Sequence, residues 1–178
     1  MKIAKYIPIL LIAVLFSSCT SVRVATDYDR QANFNSYNSF AFYKPGIDKA
    51  EISDLDKRRI LRAIEANLMA KGMTKSESPK LLVSIFTKES ERVDVYNRNF
   101  GFGWGWNPWW GGGWGQTVSR STEGSLYIDL IDAETNQLIW QGVGRSQLYT
   151  GSDIDKREER IREIVSEILA EYPPGQSN

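Results

Sequence analysis

The stretch Leu126-Tyr-Ile-Asp-Leu-Ile-Asp-Ala-Glu-Thr-Asn-Gln-Leu-Ile-Trp-Gln-Gly142 decides the fold. Leu126, Ile128 and Leu130 fall on alternate positions, the period of two that a strand with one buried face requires. Ala133-Glu134-Thr135-Asn136 is turn sequence, and Leu138, Ile139 and Trp140 resume the apolar run. The unit reads as a hairpin, with strands over Val118 to Asp132 and Gln137 to Tyr149.

Downstream, Ser152-Asp153-Ile154-Asp155 carries the chemistry of a helix start. Short polar side chains cap free N–H groups, and acids suit the positive end of the helix. Ile154, Ile161, Ile164, Val165, Ile168 and Tyr172 then recur on one face, and Pro173-Pro174-Gly175 ends the helix. Upstream, Ser53-Asp54-Leu55-Asp56 repeats that start, followed by a stripe of Ile60, Leu61, Ile64 and Leu68. Gly72 is placed to close this helix in a left-handed cap, with Met73 packing back.

Leu81 to Phe86 is a short apolar strand that can run on through Val93 and Val95. Val22, Val24 and Thr26 alternate with polar or small residues. A polar loop, Asp29 to Asn38, leads to a strand with Phe40 and Phe42, which Lys44-Pro45-Gly46 closes as a turn. The order is β-β-α-β-β-β-α. It predicts an α+β two-layer sandwich: a five-strand mixed, mainly antiparallel sheet with two helices on one face. Residues 22–178 form one domain in this reading, with a Gly/Trp-rich loop at 99–116 between strands 3 and 4.

The first eighteen residues read as an address. Lys2 and Lys5 precede an uninterrupted apolar run from Tyr6 to Phe16, the length of a secretory h-region and too short to span a bilayer. Ser17 and Ser18 then lead to Cys19, the sole cysteine. The string FSSC resembles the lipobox of bacterial lipoproteins, although Phe16 stands where leucine is commoner. The competing reading is an ordinary signal peptide with a chance cysteine. Residues 1–18 are thus expected to be a signal peptide, Cys19 the acylated (palmitate-bearing) residue, and 19–21 a short tether. Thr20, in place of the aspartate that retains lipoproteins at the inner membrane, points to the outer membrane, and the absence of an acidic run after Cys19 favours a domain facing the periplasm.

The 178 residues hold 42% hydrophobic and 25% charged residues, with 22 basic and 22 acidic. That excludes a disordered chain and a polytopic membrane protein, and gives no sign of a nucleic-acid partner. With no histidine and no free thiol beyond Cys19, Ser-His-Asp and Cys-His designs are excluded. A zinc site would need oxygen ligands alone, and no Walker phosphate cradle is present. No cofactor and no metal is expected. Two carboxylate pairs, Asp27 with Asp29 and Asp129 with Asp132, suit a glycosidase-like or calcium role; the plainer account makes them turn and strand-end residues.

Residues 99–116 stand above background. They hold seven of the fourteen glycines and five of the six tryptophans, Trp104, Trp106, Trp109, Trp110 and Trp114, and no charge. Such rings suit a bilayer interface, the faces of sugar rings, or a protein partner. Alternatively the loop folds back over apolar residues on the open sheet face, such as Phe86 and Tyr127.

Asp27-Tyr28-Asp29 before Phe34, together with the strand–turn–strand ending in Ile139-Trp140-Gln141-Gly142, resembles a bacterial lipoprotein family frequent among Bacteroidetes and defined by a domain of unknown function, DUF4136. The likeness extends over nearly all of the chain after Cys19. It implies the fold and the localisation and carries no activity to any residue. The expected protein is a non-enzymatic, lipid-anchored cell-envelope module that binds or scaffolds through the 99–116 loop, held to its membrane by the N-terminal lipid. A peptidoglycan- or glycan-binding module and a carboxylate-based hydrolase are the alternatives.

Overall fold

The computed structural model describes residues 22–96, 117–147 and 151–175. Cys19, residues 1–18 expected to form a signal peptide, and the five loop tryptophans lie outside them. The elements run β1 (Arg23–Tyr28), a 3₁₀ turn (Phe34–Ser36), β2 (Ser39–Phe42), α1 (Lys44–Ile47), α2 (Asp54–Ala70), β3 (Thr74–Lys75), β4 (Leu81–Tyr96), β5 (Thr117–Asp132), β6 (Leu138–Gln147) and α3 (Ile154–Ala170). The class is mixed α+β with an open sheet, in the order β1-β6-β5-β4-β2-β3.

The sheet has six strands, not five. The added one, β3, is two polar residues pairing in parallel with Ser39 and Phe40. It has no alternation to read, and exists because the chain leaving α2 passes beside β2. A second correction concerns Lys44-Pro45-Gly46, which form the start of the one-turn helix α1 rather than a plain turn. Proline fits there because the first helical N–H has no partner to lose. β2 joins β4 in parallel, while β4, β5, β6 and β1 are mutually antiparallel neighbours.

Both long helices start as their sequences dictate. The Ser53 hydroxyl accepts from the Asp56 N–H at 3.1 Å, and Asp153 accepts from the N–H groups of Asp155 and Lys156. α2 ends on Gly72 at φ +84°, with the Gly72 N–H on the Met69 carbonyl and the Met73 N–H on the Leu68 carbonyl. That double closure satisfies carbonyls the helix would otherwise leave open.

The core lies between the helices and one sheet face. Ile60, Ile64 and Leu68 of α2 meet Val165, Ile168 and Leu169 of α3 over Val83, Ile128 and Leu130, all buried. Ile154, expected on the apolar face of α3, is 62% exposed, because the helix begins beyond the covered part of the sheet. Leu130 pairs with Trp140 but Ile131 with Leu138, so Ile139 is an extra residue. This bulge explains why two consecutive strand residues, Ile139 and Trp140, are both buried.

β6 carries Gly142 and Gly144 directly under α3. A Cβ on Gly144 would stand 2.7 Å from Ile168 Cδ1, and one on Gly142 would run into Ile168 and the Trp140 ring. Gly144→Val should therefore destabilise by about 1–3 kcal/mol, although valine is the better strand former. Ile168→Ala alone should cost about 2–5 kcal/mol. Combined, the two losses should be smaller than their sum, since the valine enters the vacated space. Urea melts of both singles and the double measure this; strictly additive losses would contradict the packing.

Candidate functional site

Beyond the packed core, at the end of the sheet where α2 and α3 begin, the helix face opens into a cleft of about 1250 Å³. Its apolar floor includes Ile60, Leu126, Ile161 and Ile164, with Gly144 between them. Thr87 adds a hydroxyl, buried and without a hydrogen-bond partner among the described residues.

At the helix starts the rim charges are paired. Asp56 receives Arg59 at 2.7 Å, the Ser53 hydroxyl at 2.9 Å and Arg157 of α3 at 3.6 Å. Arg160 pairs with Glu163 at 2.6 Å. The cleft thus joins an apolar floor to a rim where α2 and α3 meet through paired charges, with Lys49, Glu51, Lys88 and Glu89 also around it. Its hydroxyls have no imidazole to activate them, as the chain contains no histidine. Among the described residues, no cluster of three or more His, Cys, Asp or Glu could hold a metal ion.

Each of the suspected carboxylates has hydrogen-bond partners of its own, Asp27 accepting from the Tyr28 N–H at 2.9 Å, and Asp27 and Asp29 border one shallow cleft beside β6. Asp29 accepts from the Gln31 N–H at 2.8 Å and shapes the turn after β1. Asp132 accepts from the N–H groups of Glu134 and Thr135 and from the Tyr37 hydroxyl at 2.7 Å. It fastens the β5–β6 turn to the segment before β2. Asp129 accepts from the Gln141 amide at 2.7 Å. The registers instead set Asp27 and Asp129 on either side of Gln141 in one cross-strand row. Two strand spacings separate them, about 10 Å of backbone, with a glutamine between. Burial pushes the Asp129 carboxyl up, against the pull of Gln141. Burial, and then Asp132, pushes the Tyr37 hydroxyl up to about 12.

Phe86 is 48% exposed on the sheet face opposite the helices, its ring 5.2 Å from that of Tyr127. The Tyr37 contact to Asp132 spans 95 residues of sequence, and no local signal announces it.

Residues 24–174 match a family described as a domain of unknown function, DUF4136. No curated protein matches the chain. Among solved structures, a PDZ domain protein from Parabacteroides distasonis is similar at 15% identity and a TM-score of 0.52. The match covers 94% of this chain and spans 40% of that protein. PelC from Paraburkholderia phytofirmans, a dodecamer, is similar at 12% identity and a TM-score of 0.47, covering 84% of this chain and 96% of that one. The first likeness shows a shared fold.

The Asp132 turn gives a pH test. The Thr135 N–H first, then the Tyr37 hydroxyl, hold its carboxyl below the usual carboxylate range. A lowered folded-state pKa contributes stability above the ordinary value of about 3.9 and loses it as pH falls through the lowered one. Asp132→Ala should therefore melt below the parent at neutral pH, and the gap should narrow as pH falls below about 4. Thermal melts of both chains across that range check it; a constant gap would remove the charge from the account.

Proposed function

The chain belongs to the DUF4136 family, and from that membership we propose that it is a non-enzymatic, lipid-anchored protein of the cell envelope. Its α+β domain acts as a binding or scaffolding module, with residues 99–116 as the contact sequence. The observation that carries the non-enzymatic part is the engagement of the carboxylates. Asp29 and Asp132 hold turns, Asp129 is tied to Gln141, and Asp56 is closed by Arg59 and Arg157. The anchor is supported by FSSC, which ends three residues before Val22. The place at the outer membrane is supported by Thr20, and the periplasm-facing orientation by the absence of an acidic run after Cys19, both by resemblance alone.

A glycan-binding module is the second reading. It is favoured by the half-exposed Phe86, tilted against Tyr127, a surface on which a sugar ring can lie.

Two experiments test the proposal. Cys19→Ala should leave the chain uncleaved after Ser18 and without a lipid; cleavage and detergent partitioning unchanged from the parent would refute the anchor. A pull-down from membranes with the full chain should recover a partner that a chain lacking 99–116 does not, with no turnover on envelope substrates. Retention on purified sacculus, lost with the same deletion, would establish the glycan reading instead.

A further inference from the structure

We infer that the far half of the β4–β5 hairpin is a membrane-facing ribbon, lying against the headgroup layer of the bilayer that holds the chain's own N-terminus. The inference rests on the lipid-anchor reading and goes beyond it by naming the surface that meets the lipid.

Direction comes from the registers. β1 is antiparallel to β6, β6 to β5 and β5 to β4, so β1 and β4 run in opposite senses. β1 begins at Arg23, in the row Arg23↔Arg145↔Ser125↔Lys88. β4 crosses that row at Lys88 and continues to Tyr96; β5 returns from Thr117. The ribbon and the chain preceding β1 therefore leave the domain at the same end. The β5–β6 turn, Ala133 to Asn136, lies at the opposite end.

Reach gives the second constraint. Four residues join Arg23 back to Cys19, a span of at most about 14 Å. From Lys88 to Tyr96 is eight residue steps, about 26 Å of strand. An anchor at Cys19 thus holds the row nearer to the bilayer than the ribbon is long. Successive strands also twist by roughly 20–25°. Three steps from β1 to β4 incline the ribbon strongly to β1, so a domain standing with β1 upright over its tether lays the ribbon along the surface rather than through it.

The ribbon lacks other support among the described residues. From Glu91↔Thr122 to Tyr96↔Thr117 the two strands pair only with each other, since β6 meets β5 no further than Glu123 and β2 meets β4 no further than Val83. A two-stranded ribbon alone in water is marginal, so a surface beside it is needed. The sequence joining its strands carries one charge, Arg98, and after it residues 99–116 hold five tryptophans and no charge, a composition at home in the interfacial layer.

The test uses the full chain, reconstituted into phosphatidylcholine vesicles. Cys19 is the sole cysteine and its thiol is consumed by the lipid, so one added cysteine takes an environment-sensitive fluorophore cleanly. Thr117→Cys reports on the ribbon and Glu134→Cys on the opposite end; Ser119→Cys replaces the first should it fail to fold. Flotation shows whether the chain is anchored, and nitroxide-bearing lipids quench a probe at the bilayer. The ribbon probe should shift to the blue and be quenched several-fold more than the Glu134 probe. Flotation with equal quenching at both ends, or with none, overturns the ribbon's placement and leaves the anchor standing. Failure to float overturns both.

Discussion

α3 can seat on the sheet only because β6 presents two glycines beneath it. Gly142 and Gly144 leave room for Ile168, and Gly144 for Ile164 as well. Once α3 lies at that distance, Trp140 on the same strand is fully buried, with Tyr172 against its ring at 5.5 Å. α2 fills the remaining half of the helix layer, and Arg157 reaches Asp56 across the two helix starts. The close approach covers only part of the sheet. Toward the helix starts the layer thins, and the cleft over Leu126 and Thr87 is the result. A side chain at either glycine would lift the helix and move everything that leans on it. The fit is not perfect: among the described residues the buried Trp140 indole N–H has no acceptor, a penalty of about 1–3 kcal/mol that the surrounding packing offsets.

Much of this was legible in the sequence, because the signals were local. Ser53 and Asp153 cap their helices through contacts two or three residues away. Gly72 closes α2 by conformational freedom alone. The 126–142 hairpin declares itself by alternation and a turn. Such features need no knowledge of the rest of the chain. The features that escaped are those a distant segment creates. β3 is a strand only because β2 lies beside it. The bulge at Ile139 is set by β5. Tyr37 reaches Asp132 across 95 residues of sequence. The functional candidates divide in the same way. The carboxylates could be named from their residue type, but neither their neighbours nor their roles could, since the row joining Asp27, Gln141 and Asp129 belongs to three strands.

Strand order also settles a matter that periodicity leaves open. A hairpin read from sequence has length and a turn, with no direction in space. Placing β1 beside β6, three antiparallel steps from β4, gives the long hairpin a sense relative to the chain's beginning. The same ordering puts the starts of both long helices at the cleft end, each closed by its own capping side chain, Ser53 or Asp153.

The position of β1 has a mechanical consequence. A pull through the residues preceding Arg23 enters the domain along the axis of an edge strand. Six residues of that strand pair with β6, from Arg23↔Arg145 to Tyr28↔Trp140. Load applied along a ladder shears its rungs together, whereas load applied across it unzips them one by one. β1 therefore behaves as a clamp toward traction at its leading end. How long the clamp lasts is set by the height of the barrier to rupture, and not by the equilibrium stability of the domain.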